Sequence, residues 1–163
     1  ERFGFAVHEL ATLYLINLAL NMFLGPLFGR VVAYFGERNT LIFEYAGLAS
    51  VFLAYGGIYM FGWSVVLAGA LFIIDHLFFS LAFALKTYFQ KIADPADIAP
   101  TAAVAFTINH IAAVGLPLLL GLVWLVSPSL VFLTAALMAI ISLGLALLIP
   151  RHPVPGNETI FNR

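Results

Sequence analysis

Cysteine is absent from the 163-residue chain, which excludes disulfides, thiolate metal sites and cysteine nucleophiles together. Charge is scarce as well: 9% of the residues are charged and 63% are hydrophobic, with a mean hydropathy of +1.07. A soluble domain carries about 25% charged and about 45–50% apolar residues, so this chain could not cover its own exterior with polar side chains in water. A lipid bilayer is the solvent that suits it. The net charge of −1 leaves no basic surface to recommend nucleic acid as a partner. There is no GxSxG motif, no Walker A loop and no acidic metal-binding cluster. His8-Glu9-Leu10-Ala11-Thr12 opens like a zinc-protease helix but has Thr12 where the second histidine is needed. No enzyme activity, metal or cofactor is expected. A basic n-region followed by a short apolar core is missing too, so no signal peptide is visible. The opening at Glu1 reads as a fragment boundary or a processed end.

What the chain has is long apolar runs. Crossing a hydrocarbon core of about 30 Å takes about 20 apolar residues of helix. Five stretches qualify, over 5–29, 40–61, 63–88, 101–125 and 129–149. No formally charged side chain lies between Asp97 and Arg151. The runs are continuous rather than alternating, so helices and not a barrel are predicted. The fold class expected is all-α, a polytopic bundle of about five transmembrane helices over residues 5–150. A polar, loosely ordered tail over 151–163 follows it. Breaks are predicted at Arg30–Asn39, at Phe61-Gly62-Trp63, over Lys91–Pro100 with its two prolines, at Ser127-Pro128-Ser129 and at Pro150.

Five crossings put the loops after the first, third and fifth spans on one side. Those loops and their helix ends hold Arg30, Arg38, Lys86, Lys91, Arg151 and Arg163, six of the seven basic residues. The positive-inside rule makes that side cytoplasmic, with the C-terminus inside and Glu1 outside. Trp63 and Trp124 then fall at the outer interface, and Tyr34, Phe35, Tyr88 and Phe89 at the inner one. An outside start without a cleavable signal suggests further helices upstream.

The first cytoplasmic connection reads Gly29-Arg30-Val31-Val32-Ala33-Tyr34-Phe35-Gly36-Glu37-Arg38-Asn39-Thr40-Leu41. It resembles the loop signature of the major facilitator superfamily. Gly29, Phe35, Gly36, Arg38 and Leu41 match. Ala33, Tyr34 and Glu37 depart from it, where an acid, an arginine and a basic residue are usual. The degenerate form of the signature belongs to the second half of such transporters, between spans eight and nine. The resemblance then implies spans eight to twelve and alternating access by a twelve-helix protein. It implies an N-terminal half of the same protein as partner, and an inner or plasma membrane as location.

Ionisable groups inside the spans each need a reason, because burying a charge in lipid costs about 2.5–3.5 kcal/mol on insertion scales. Asp75 and His76 fall mid-way along the third span. Helical geometry places them about 100° apart, with His76, Ser80 and Thr87 on one stripe and Asp75 and Lys86 on another. The resemblance implies that this span lines the central cavity, making Asp75 and His76 candidates for transport or proton coupling; the alternative is packing. His110, with Thr107 one turn before it, is a third candidate, at a depth where it could meet Asp75 and His76; Asn109 points elsewhere. Tyr14, Asn17 and Asn21 share a face of the first span. Asn17, Asn21, Ser80, Thr107 and Asn109 are the polar cavity candidates. Gly29, Gly36, Arg38 and Glu44 are assigned to the loop signature and gating, with Arg30 or Arg38 expected to clamp Glu44 by snorkelling.

The reading with most support is a proton-coupled secondary transporter of small solutes. A non-transporting membrane subunit or scaffold is the alternative, and a membrane enzyme the weaker one. Substrate, direction of transport, coupling ion and oligomeric state are open at this stage.

Overall fold

Apolar side chains leave the backbone as the only polar element in most of this chain, and in lipid that backbone must bond to itself. In the computed structural model, which describes residues 6–62 and 64–161, the regular structure is helical. The helices are α1 (Val7–Phe61), α2 (Val65–Phe79), α3 (Phe83–Ile92), α4 (Pro95–Val126) and α5 (Pro128–Leu147). A 3₁₀ turn at Ser80–Ala82 joins α2 to α3. Glu1, Phe5, Trp63 and Arg163, used above for the chain start, a span end, an aromatic belt and the charge count, lie outside the described residues.

Four helical stretches among the described residues are long and apolar enough to cross a membrane: Val7–Ile58, Val66–Ile92, Pro95–Val126 and Pro128–Leu147. The first two expected spans join in one helical element interrupted at Gly36, so the break predicted within Arg30–Asn39 is made by a single residue and not by a loop. A straight helix of 55 residues would be about 80 Å long at 1.5 Å per residue, far more than a bilayer. The chain breaks it at Gly36, whose φ of 80° and ψ of 161° lie in a region essentially reserved for glycine.

Contacts give the direction of each arm. In the N-terminal arm (7–35), Tyr14 meets Phe72 and His76, Asn21 meets Ser80, and Val32 clusters with Ala84, so it runs parallel to the 65–92 segment. In the C-terminal arm (37–61), Leu41 clusters with Ala84, Phe43 packs on Phe78 and Tyr55 reaches Ala68, so it runs the opposite way. Gly36 is therefore the turn of a helical hairpin. α5 lies antiparallel to the C-terminal arm, with Tyr55 stacked on Phe132, Leu48 and Ala49 clustered with Ala139, and Leu41 with Ala146.

The C-terminal arm is the centre of the bundle. Leu41, Leu48, Val51 and Ile58 are buried along it, at helical spacing, in three successive apolar clusters. Lipid is as apolar as leucine, so these helices associate by close packing at small residues. Ala49, Ala136, Ala139 and Ala146 are buried at the contacts. Phe78 lies so close over Gly47 that even a β-carbon would overlap its ring. By contrast, α4 has no buried residue and packs against α5.

The turns follow local chemistry. Gly62 ends α1 in the left-handed conformation, with its N–H on the Ile58 carbonyl at 3.0 Å. α4 starts at Pro95 rather than at the expected Thr101. The Asp94 carboxylate accepts from the Ala96 N–H at 2.9 Å and proline fills the first helical position. Ser127 and Pro128 make the turn into α5. The tail is not loose: Pro153 is buried, the Tyr88 hydroxyl donates to the Glu158 carbonyl at 2.6 Å and the Ile160 N–H donates to the Leu148 carbonyl at 2.9 Å.

Candidate functional site

The polar face predicted on the first span packs against the polar stripe predicted on the third. Tyr14, Asn17 and Asn21 recur at the spacing of one helix face. Opposite them, Phe72, His76 and Ser80 recur one turn apart. Asn21 donates through Nδ2 to the Asn17 carbonyl at 3.0 Å, while its Oδ1 accepts from the Ser80 hydroxyl. The same hydroxyl lies 2.7 Å from the His76 carbonyl. Ser80 thus lies between an acceptor on its own helix and one on the N-terminal arm. A serine bonded back to its own helix loosens the regular ladder, and Ser80 opens the 3₁₀ turn.

Asn17 is the anomaly of this seam. It is 2% exposed, and both its carboxamide oxygen and nitrogen are buried without a partner. An unmade bond at a buried polar group costs about 1–3 kcal/mol, so the amide is held where the protein itself does not use it.

His76 and Asp75 approach each other more closely than the helical wheel suggests. His76 Nδ1 is 3.5 Å from an Asp75 carboxylate oxygen, because the two side chains lean together although their Cβ atoms diverge. The same nitrogen is 3.0 Å from the Phe72 carbonyl. A carbonyl only accepts, so this contact is a hydrogen bond in the tautomer that carries the proton on Nδ1. The imidazole sits in an aromatic bracket, 4.4 Å from the Phe72 ring and 5.9 Å, edge to face, from Tyr14. Both side chains are partly buried, with exposures of 33% for His76 and 25% for Asp75. Tyr55 donates to the Ala68 carbonyl at 3.2 Å and stacks on Phe132 at 4.9 Å, so it links α2 and α5 across the C-terminal arm. Tyr55 is not among the residues expected from sequence; its position at the meeting of three helices carries no local signal.

The other candidates fall elsewhere. His110 is exposed on α4, with Nδ1 2.9 Å from the Phe106 carbonyl of its own helix, and is not brought to Asp75 or His76. Thr107 donates to the Ala103 carbonyl at 3.0 Å, and Asn109 is exposed. These α4 residues do not join the seam, because α4 packs on the bundle along α5.

The loop-signature residues gather at the Gly36 end. Glu37 is buried and pairs with Lys91 at 2.6 Å. Arg38 donates to the Leu147 carbonyl at 3.3 Å, near the end of α5. Among the described residues neither Arg30 nor Arg38 forms an ion pair with Glu44, so the expected clamp is not made. The basic residues are engaged or placed nearer the helix ends, while Glu44 is 1% exposed between Leu41 and Leu48 with Oε2 unpartnered. Gly29 lies about two turns before the break, with open space around it. Glu37 was the missed residue here: it departs from the signature it resembles, and its partner Lys91 is far away in sequence.

Comparison with protein-family models, with curated proteins and with solved structures gives no match for this chain.

Proposed function

We propose that the chain is part of a multi-pass secondary transporter that moves a small polar solute by alternating access, coupled to protons. The supporting observation is the seam between the N-terminal arm and α2, where a buried asparagine has no partner at either amide atom. In this reading Asn17 is reserved for the solute. Asn21 and Ser80 shape the path beside it. Asp75 and His76 are the proton-coupling pair, placed one helix turn from that amide.

The gate in this reading is the Gly36 end. Glu37 holds Lys91 and Arg38 holds the end of α5, so three chain segments are fastened at one end of the seam. Opening there requires those bonds to part while the Gly36 turn bends. The likeness of Gly29, Phe35, Gly36, Arg38 and Leu41 to the major facilitator loop signature supports the same reading. That family would supply a second half against the bare α4 and the outer face of the N-terminal arm. Arg30, Arg38, Lys86, Lys91 and Arg151 cluster at the Gly36 end, which on the positive-inside rule faces the cytoplasm of an inner or plasma membrane.

Proteoliposomes loaded with a pH-sensitive dye test this reading. A panel of small polar solutes added outside should include one that evokes proton movement with the wild-type protein. Asp75→Asn and His76→Ala should abolish that movement or flatten its pH dependence. Wild-type rates and pH profiles in both variants would refute the coupling assignment. A membrane scaffold would tolerate both changes.

A further inference from the structure

The tail builds a second polar site, away from the seam. After α5 the chain turns at Pro150, and a β-bridge between Val154 and Asn157 reverses it. The Ile160 N–H then returns to the Leu148 carbonyl. Between this returning strap and the C-terminal arm lies a cavity of about 520 Å³ lined by Arg38, Pro150, Arg151, His152, Asn157 and Ile160. Its wall carries two guanidinium groups, one imidazole and one carboxamide. Arg38 enters with one nitrogen already on the Leu147 carbonyl, but its Nε is buried without a partner. Asn157 donates to the His152 carbonyl at 3.1 Å, which fixes the strap around the opening.

The acids at this end have partners of their own. Glu37 is taken by Lys91 at 2.6 Å, and Glu158 accepts the Gly156 N–H at 2.5 Å within the strap. A planar guanidinium is suited to a two-oxygen anion, and pairs of arginines to phosphate above all. We infer that this cavity is an anion site for a phosphate group, carried by an anionic lipid headgroup or free in solution. Arg38 and Arg151 supply the charge, and His152 and Asn157 the rim. The inference is independent of the transport reading. It needs only the cavity and, for the lipid source, a helix end at headgroup depth.

The test uses the purified protein in phosphatidylcholine nanodiscs, with three additions made separately: phosphatidylglycerol, inorganic phosphate and chloride at matched ionic strength. Thermal unfolding and native mass spectrometry read the binding. Stabilisation and a retained adduct with phosphatidylglycerol alone identify a lipid headgroup, and stabilisation by inorganic phosphate identifies a soluble ligand. Arg151→Gln, at an exposed position, should weaken either by about fivefold, the contribution of one basic residue near a charged surface. Arg151→Lys should restore part of it, and Asn157→Leu should weaken binding with all charges in place. Equal stabilisation by chloride, no binding of either phosphate probe, or unchanged binding in Arg151→Gln would overturn the assignment.

Discussion

Replacing Asn17 with leucine separates a binding residue from a packing residue. The two side chains have the same branched outline, but leucine offers no donor or acceptor. In the folded protein the carboxamide presents two N–H donors and one carbonyl oxygen, and both polar atoms are buried and unpartnered. An unmade bond of this kind costs about 1–3 kcal/mol. Removing the polar group while keeping the shape should therefore stabilise the fold by a similar amount. For a domain of 150–250 residues each kcal/mol moves Tm by about 2–4 °C, so Asn17→Leu should melt about 2–12 °C above wild type in detergent or nanodiscs. Solute-evoked proton movement should vanish in the same variant. A stability gain with loss of transport is what a residue reserved for a ligand produces. A lower Tm with normal transport would refute the reasoning, because it would mean that the amide has a structural partner.

Three further outcomes follow from the packing. Gly36→Ala forces a β-carbon into a conformation essentially limited to glycine and should cost about 1–3 kcal/mol, read as a fall in Tm; an unchanged Tm would mean that the hairpin turn lies elsewhere. Gly47→Ala should cost a similar 1–3 kcal/mol by overpacking against Phe78, and Phe78→Leu should recover part of the loss. Glu37→Gln and Lys91→Gln should couple in a double-mutant cycle by about 0.2–1 kcal/mol, kept modest by the half-exposed Lys91. Additive effects would show that the pair contributes nothing.

Much of the fold was legible in sequence because lipid leaves the backbone few choices. Runs of about 20 apolar residues had to be helices, and Gly62, Asp94-Pro95 and Ser127-Pro128 marked turns by their own conformational chemistry. The break within Arg30–Asn39 was legible, but not that it narrows to Gly36, and for a physical reason. Glu37, Arg38 and Asn39 look like solvated loop residues, yet each sits in a helix with a partner. Lys91 takes the first, the Leu147 carbonyl the second and the Phe35 carbonyl the third. Two of those partners are distant in sequence, so no local pattern reveals them. The tail was misread likewise, since Tyr88 and Leu148 hold it from outside its own segment.

The candidate site shows the same division. Helical periodicity put Tyr14, Asn17 and Asn21 on one face and His76 and Ser80 on another, and those faces meet. Periodicity could not say which helix each face meets, so it grouped His110 with Asp75 by depth alone. Nor could it show that Asn17 is left without a partner, because that depends on what every neighbouring chain segment fails to offer.

The central claim is that α1 folds back at Gly36 and that successive helical runs carry the chain from one side of a bilayer to the other. The absence of cysteine makes this directly measurable with single introduced thiols and a membrane-impermeant maleimide in vesicles of known orientation. Asp94→Cys and His152→Cys should label from one side, and Ser64→Cys and Ser127→Cys only from the other. Labelling of Ser64→Cys and Asp94→Cys from the same side would contradict the account.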